Sequence, residues 1–178
     1  MTIDRRLNPL LGPGGNYAHV FELDGKAYKL FLAGPEILPR QTRDGRKRVF
    51  KSQVEAYQLL FRDPWLQNHS ATFYGVCTIE DVIGGDGNSL RDDYLLDCCY
   101  ALELLDLGEI DPITGFYMNE AKLVWLKHGH LTSYYENHVK DAEARFKMLG
   151  IATMDSSVLF YRDPETFKFI DFEIENYY

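Results

Sequence analysis

The sequence predicts an α+β fold with its strands and helices segregated into two lobes. Three observations predict it. Alternating, aromatic and β-branched runs dominate the first hundred residues, with one helical pattern among them. Residues 117–148 then read mostly as helix. The chain finally returns to two short apolar runs joined by a turn. Strands first and helices after favour α+β over an alternating α/β arrangement.

The elements follow in order. Residues 10–31 hold two strands, the first through Ala18, Val20 and Phe21, the second in the run KAYKLFL. Asp24-Gly25 between them is the strongest short hairpin signal in the chain, because a tight hairpin turn asks for positive φ. Residues 34–46 carry Gly34, Pro35, Pro39 and Gly45 and read as loop. A helix is expected from about Arg46 to Phe61, with Phe50, Val54, Tyr57 and Phe61 recurring on one apolar face and Asp63-Pro64 ending it. ATFYGVCTI reads as the next strand, DVIGGDGNSLRDD as a polar glycine-rich loop, and DYLLDCCYALELL as a long central strand. GEIDPITG is a turn region. In the helical stretch Tyr135, Val139 and Phe146 are the expected core contacts, and the strands SVLFY and FKFIDF close the chain around the turn RDPET.

The totals bound the protein class. With 178 residues the chain makes one domain in two small lobes, here drawn as 1–105 and 106–178. Hydrophobic residues are 46% and aromatics 14%, enough for a core. The net charge of −8 argues against nucleic acid as a partner, since phosphate binding needs an excess of Lys and Arg. Three cysteines without a CxxC do not make a disulfide framework, so a reducing cytosol is expected. The start MTIDRRLNPLLG has no apolar core of a signal peptide. The longest apolar stretch is broken by Asp97 and Glu103, so no membrane span is expected. His128, His130 and His138 lack zinc spacing with the isolated cysteines. A basic run, Arg40 to Lys51, stands out in this acidic chain and reads as a solvated loop or as a dock for an acidic partner.

Several residues carry candidate chemistry. Gly14 and Gly15 before the first strand let a backbone approach phosphate oxygens where a side chain would clash. Pro13 to Val20 fits G-x-G-x-x-G-x-V if Pro13 replaces the first glycine and Ala18 the third, and Gly12 offers a second register. The same residues also fit a plain loop-to-strand turn. Lys29 stands in an A-x-K pattern on the second strand, and Glu55 on the following helix is its natural carboxylate partner. Asp171 follows a hydrophobic strand and precedes Phe172.

With the run ALELLDLGE at residues 101–109, the chain resembles the eukaryotic-like protein kinase fold. The resemblance implies a five-stranded first lobe with one regulatory helix and a truncated, mostly helical second lobe. It makes Leu102 the gatekeeper, lets Glu103 and Leu105 meet an adenine edge, and sends Glu109 to the ribose. Val20 would cover the adenine, Lys29 would bridge the α- and β-phosphates of ATP, and Asp171 would carry Mg²⁺.

Where the family has H-R-D-x-x-x-x-N, this chain reads Gly150 to Leu159 without the histidine or the asparagine. One alignment places Ser157 at the asparagine, where its hydroxyl would ligate metal weakly, and Ala152 at the base. The other keeps Asp155 as the acid and shortens the loop by three residues. Glu173 replaces the glycine of D-F-G, and seven residues follow Asp171, so no activation segment is expected. Certain bacterial effector kinases are similarly abbreviated, which extends the expected cytosol to that of a host. Two functions are therefore expected: an ATP- and Mg²⁺-dependent phosphotransferase acting on a hydroxyl of a partner protein, with Ser or Thr favoured as acceptor, or an impaired pseudokinase that binds a protein.

Overall fold

The computed structural model describes residues 1–11, 17–34, 41–105, 122–125, 133–152, 157–160 and 167–174, with backbone alone for 122–125, 133–140, 157–160 and 167. The fold is mixed α+β. By contact, the chain divides into two compact units: Met1–Val54 with Phe73–Leu104, and Glu55–Thr72 with Leu105–Tyr178.

The first unit is built on a four-stranded antiparallel sheet, in order β2 (Ala18–Leu23), β3 (Lys26–Leu32), β6 (Tyr94–Glu103), β4 (Phe73–Cys77). Asp24 and Gly25 turn β2 into β3 with φ of 50° and 69°, the left-handed pair that matches strand twist. Leu10 forms a bridge to Phe21, with the Leu11 N–H donating to the Val20 carbonyl at 2.8 Å and the Glu22 N–H to Pro9 at 3.1 Å. The chain on both sides of residues 12–16 is thus paired. β4 is an edge strand, and its register shifts between Phe73 and Gly75, where Gly75 takes φ +115°.

One sheet face packs on a cluster of Phe21, Tyr28, Leu30, Tyr94, Cys99 and Ala101 with Ile3, Ile79 and Val82. Burying each of the larger side chains contributes about 1.5–3 kcal/mol. Ile3 and Val82 belong to β1 (Thr2–Asp4) and β5 (Asp81–Ile83), which pair in parallel. The expected loop 81–93 therefore begins as a strand. Three residues are too short to display alternation, and its partner is distant in sequence.

The other face meets α1 (Arg43–Leu60). Thr42 caps this helix, its hydroxyl accepting from the Gly45 N–H at 3.0 Å. Phe50 lies 5.6 Å from Phe31 and stacks on Tyr100 at 6.2 Å. The buried stripe runs through Arg46, Val49, Phe50, Gln53, Ala56, Tyr57 and Leu60. Phe61, expected on that stripe, is exposed: the helix has ended, and the next residues turn toward α2.

Among its described residues the second unit holds α2 (Pro64–Asn68), α3 (Ser133–Met148) and five short strands. Asp63 does more than end α1: its carboxylate caps α2, accepting from the Trp65 and Leu66 N–H groups at 2.9 and 3.1 Å. The helical reading of 117–148 is corrected at its start, because Lys122–Trp125 is a strand (β7). The run Leu-Val-Trp has the branched and aromatic character that a pleated surface favours. β9 (Ser157–Phe160) pairs antiparallel with both β7 and β10 (Phe167–Ile170), and β8 (Ile151–Ala152) pairs with β11 (Glu173–Ile174). Phe146 of α3 is wholly buried, 5.1 Å from Phe169 and 5.2 Å from Phe172. Tyr135 and Val139 lie outside the described side chains. Among the described residues no helix is long and apolar enough to cross a membrane.

Candidate functional site

Lys29 stands at the middle of β3. Its register partners are Val20 on β2 and Tyr100 on β6, and Tyr100 in turn faces Val76 on β4. Directly opposed residues share a face. Val20, Lys29, Tyr100 and Val76 therefore make one row across the sheet, on the face that α1 meets. The neighbouring rows add Ala18 and Phe31 on one side, and Ala27, Leu102 and Phe73 on the other. Ala18 and Leu102 are buried, and Lys29 is half-buried among them. Alternation along β2 and β3 is what puts Ala18, Val20 and Lys29 together. Glu103, half-buried at the end of β6, faces Lys26 instead, and Leu105 is half-buried beyond it.

Glu55 is exposed. It shares the outward side of α1 with Arg48, Lys51 and Gln58, while Ser52, Gln53, Ala56 and Tyr57 are buried. Gln53 of α1 reaches the Lys29 row: its Oε1 accepts from the Tyr100 hydroxyl at 2.8 Å. Gly14, Gly15, Glu109 and Asp155 lie outside the described residues, as do GEIDPITG and RDPET.

In the second unit, two ladders end close together in sequence. Ala152 faces Glu173, and Ser157 faces Ile170. Residues 153–156, which include Asp155, join Ala152 to Ser157. Asp171 and Phe172 join Ile170 to Glu173. The two ladders thus hold the ends of both connections beside each other, and Ser157 stands at the same end of its hairpin as Asp171. Asp171 has φ 62°, one of two positive-φ non-glycine residues among those described. The other, Asp24, is explained by its hairpin turn. Phe172 beside it is wholly buried, edge-on to Tyr57 at 5.1 Å, so the backbone at this corner is anchored.

The basic run hides a residue that sequence reasoning missed. Arg46 is 1% exposed. Its Nε donates to the Gln41 carbonyl at 2.7 Å and its Nη1 to the Tyr17 carbonyl at 3.3 Å. The Leu32 N–H reaches the same Tyr17 carbonyl at 2.9 Å. Arg46 thereby ties the start of α1 to the residue that follows the glycine-rich loop. The legible signal was spacing: Arg46 and Gln53 are polar residues at stripe positions of α1. Arg43, Arg48 and Lys51 are exposed, as a solvated run requires, and Lys47 Nζ meets Asp97 Oδ2 at 3.4 Å.

No group of three or more His, Cys, Asp or Glu among the described residues could hold a metal ion. An open groove of about 580 Å³ in the first unit is lined by Arg43, Thr78, Glu80, Arg91, Asp92 and Asp97 among others, and carries none of the candidate residues. Compared with protein-family models, with curated proteins and with solved structures, the chain matches none.

Proposed function

We propose that the chain is an ATP- and Mg²⁺-dependent phosphotransferase of the protein-kinase type, moving the γ-phosphate to a hydroxyl of a partner protein. Lys29 orients the phosphates, Asp171 carries Mg²⁺, Asp155 positions the acceptor hydroxyl, and Ser157 lends its hydroxyl to the metal. Ala18, Val20 and Leu102 form an apolar seat for the base. Catalysis at such a site is mostly positioning and charge neutralisation, so few groups suffice.

The observation that carries the reading is the corner around Asp171. A residue with a side chain enters the left-handed region at a cost of about 1–2 kcal/mol, less for Asp and Asn, and persists there where the surroundings favour it. Here it falls on the aspartate that the sequence singled out for metal, and the flanking ladders pair Ala152 with Glu173 and Ser157 with Ile170 on either side of it. The row of Val20, Lys29 and Tyr100 supports the phosphate-binding half independently.

A second reading, a pseudokinase that holds nucleotide and binds a protein, is favoured by the exposure of Glu55. A carboxylate that holds a lysine over apolar surroundings works best when shielded from water.

Thermal unfolding with and without Mg²⁺ and ATP tests the nucleotide site. Ligand at 100 times its Kd adds about 2.7 kcal/mol. The melting temperature is expected to rise, and Lys29→Ala and Asp171→Asn each to remove the rise. No rise in the unaltered protein overturns both readings. Label transfer from γ-labelled ATP to proteins of an extract, lost in Asp155→Asn, separates the enzyme from the pseudokinase.

A further inference from the structure

Cys77, Cys98 and Cys99 are free thiols. Two of them oppose each other: Cys77 ends the edge strand β4, and Cys99 is its register partner on β6. They share a row with Leu30 and His19, on the sheet face away from α1. Antiparallel partners have Cα atoms about 4.5–5.5 Å apart, and a disulfide spans Cα separations of about 4.4–6.8 Å. The ladder itself supplies the spacing. Both side chains leave the sheet on the same face, as directly opposed residues do. Cys77 is half-buried at the rim, whereas Cys99 is 0% exposed.

We propose that Cys77 and Cys99 are a peroxide-reactive dithiol site, in which Cys77 meets the oxidant and Cys99 resolves it to a disulfide. The Cys77 thiolate attacks one oxygen of a hydroperoxide. The O–O bond breaks, water or an alcohol leaves after protonation, and Cys77 becomes a sulfenic acid. The Cys99 sulfur, giving up its proton, attacks the Cys77 sulfur. The S–O bond breaks, the S–S bond forms, and the hydroxyl leaves as water. Two thiols have lost two electrons, and one peroxide has been reduced by two.

The division of labour follows from the local environment. The neighbouring Cys99 thiol lowers the Cys77 pKa from its ordinary value, against the effect of burial. The same contact and full burial raise that of Cys99. Cys98 points to the opposite face, its thiol toward Asp97 Oδ1 at 3.7 Å, and burial pushes it up to about 12. It is therefore the spectator. A disulfide of this kind is transient in a reducing compartment and reverses by thiol exchange. The site does not depend on the phosphotransferase reading.

The test treats the full chain with hydrogen peroxide, quenches, alkylates remaining thiols and maps peptides by mass spectrometry. The expected product is a Cys77–Cys99 cross-linked peptide lacking two hydrogens, lost on adding dithiothreitol, with Cys98 still a thiol. Cys77→Ser, a change at the half-buried rim, is expected to abolish the cross-link and leave Cys98 and Cys99 reduced. Cys77 driven to sulfinic acid while Cys99 stays reduced would overturn the proposal. So would a cross-link through Cys98, or survival of all three thiols.

Discussion

The hydroxyl of Tyr100 donates a buried 2.8 Å hydrogen bond to Oε1 of Gln53, pinning α1 to the centre of the four-stranded sheet. Tyr100 also faces Lys29 in the ladder, so one bond sets both the helix position and the floor of the candidate phosphate site. Tyr100→Phe removes the donor and leaves Gln53 Oε1 buried. The expected loss is about 1–3 kcal/mol, read by urea unfolding. Adding Gln53→Met removes the stranded acceptor, so the double variant should lose less than the sum of the two singles. Strict additivity would mean the bond contributes nothing.

Arg46 should behave as a core residue despite its charge. Truncation to Ala removes a buried side chain and strips a donor from each of the Gln41 and Tyr17 carbonyls. The expected loss is on the order of 3 kcal/mol. Arg46→Met restores much of the volume and should recover part of it. Arg48→Ala, two residues on and exposed, should stay within about 0.5 kcal/mol. Equal effects at positions 46 and 48 would contradict the burial described above.

The comparison of these two arginines shows where the sequence was legible. Helix spacing announced α1, and the Asp24-Gly25 turn announced its hairpin, because each rests on local rules of backbone and period. Lys29 shares a face with Val20 and Tyr100 because period-two alternation along the strands decides it. Arg46 was read as one more charge in a basic run, because its buried partners include two backbone carbonyls, and carbonyls leave no trace in residue identity. β1 and β5 were missed for a related reason: their pairing is long-range and each strand is three residues. Glu55 was chosen by position on the helix, but its side faces outward, and phase along a stripe is harder to read than the stripe itself.

Asp63 links α2 to α3. Its carboxylate caps α2 and accepts from Arg145 Nη1 at 2.8 Å. Burial alone would raise its pKa, but Arg145 and the two backbone N–H groups outweigh it and hold the carboxyl below its ordinary value. With the folded value below the unfolded one, near 3.9, the stabilisation is full above that pH. It is lost as pH falls through the folded value. Asp63→Asn keeps a capping oxygen and removes the charge. The variant should be less stable by about 0.2–1 kcal/mol near neutral pH. The difference should shrink below about pH 4. Unfolding midpoints measured across that range check it, and a difference independent of pH would assign Asp63 to capping alone.

Asp171 allows backbone strain and charge to be separated. Its φ of 62° suits Gly without cost, is tolerated by Asp and Asn, and penalises other side chains. Asp171→Asn should therefore leave stability nearly unchanged. Asp171→Ala should cost about 1 kcal/mol, and Asp171→Gly should restore most of that loss. All three lose the carboxylate, so all three should lose the rise in melting temperature expected with Mg²⁺ and ATP. The decisive result is the Asn variant: native stability with no ligand-induced rise assigns the aspartate to the metal rather than to the turn. A full rise in that variant would leave Asp171 as a structural corner residue and remove Mg²⁺ from its proposed ligand.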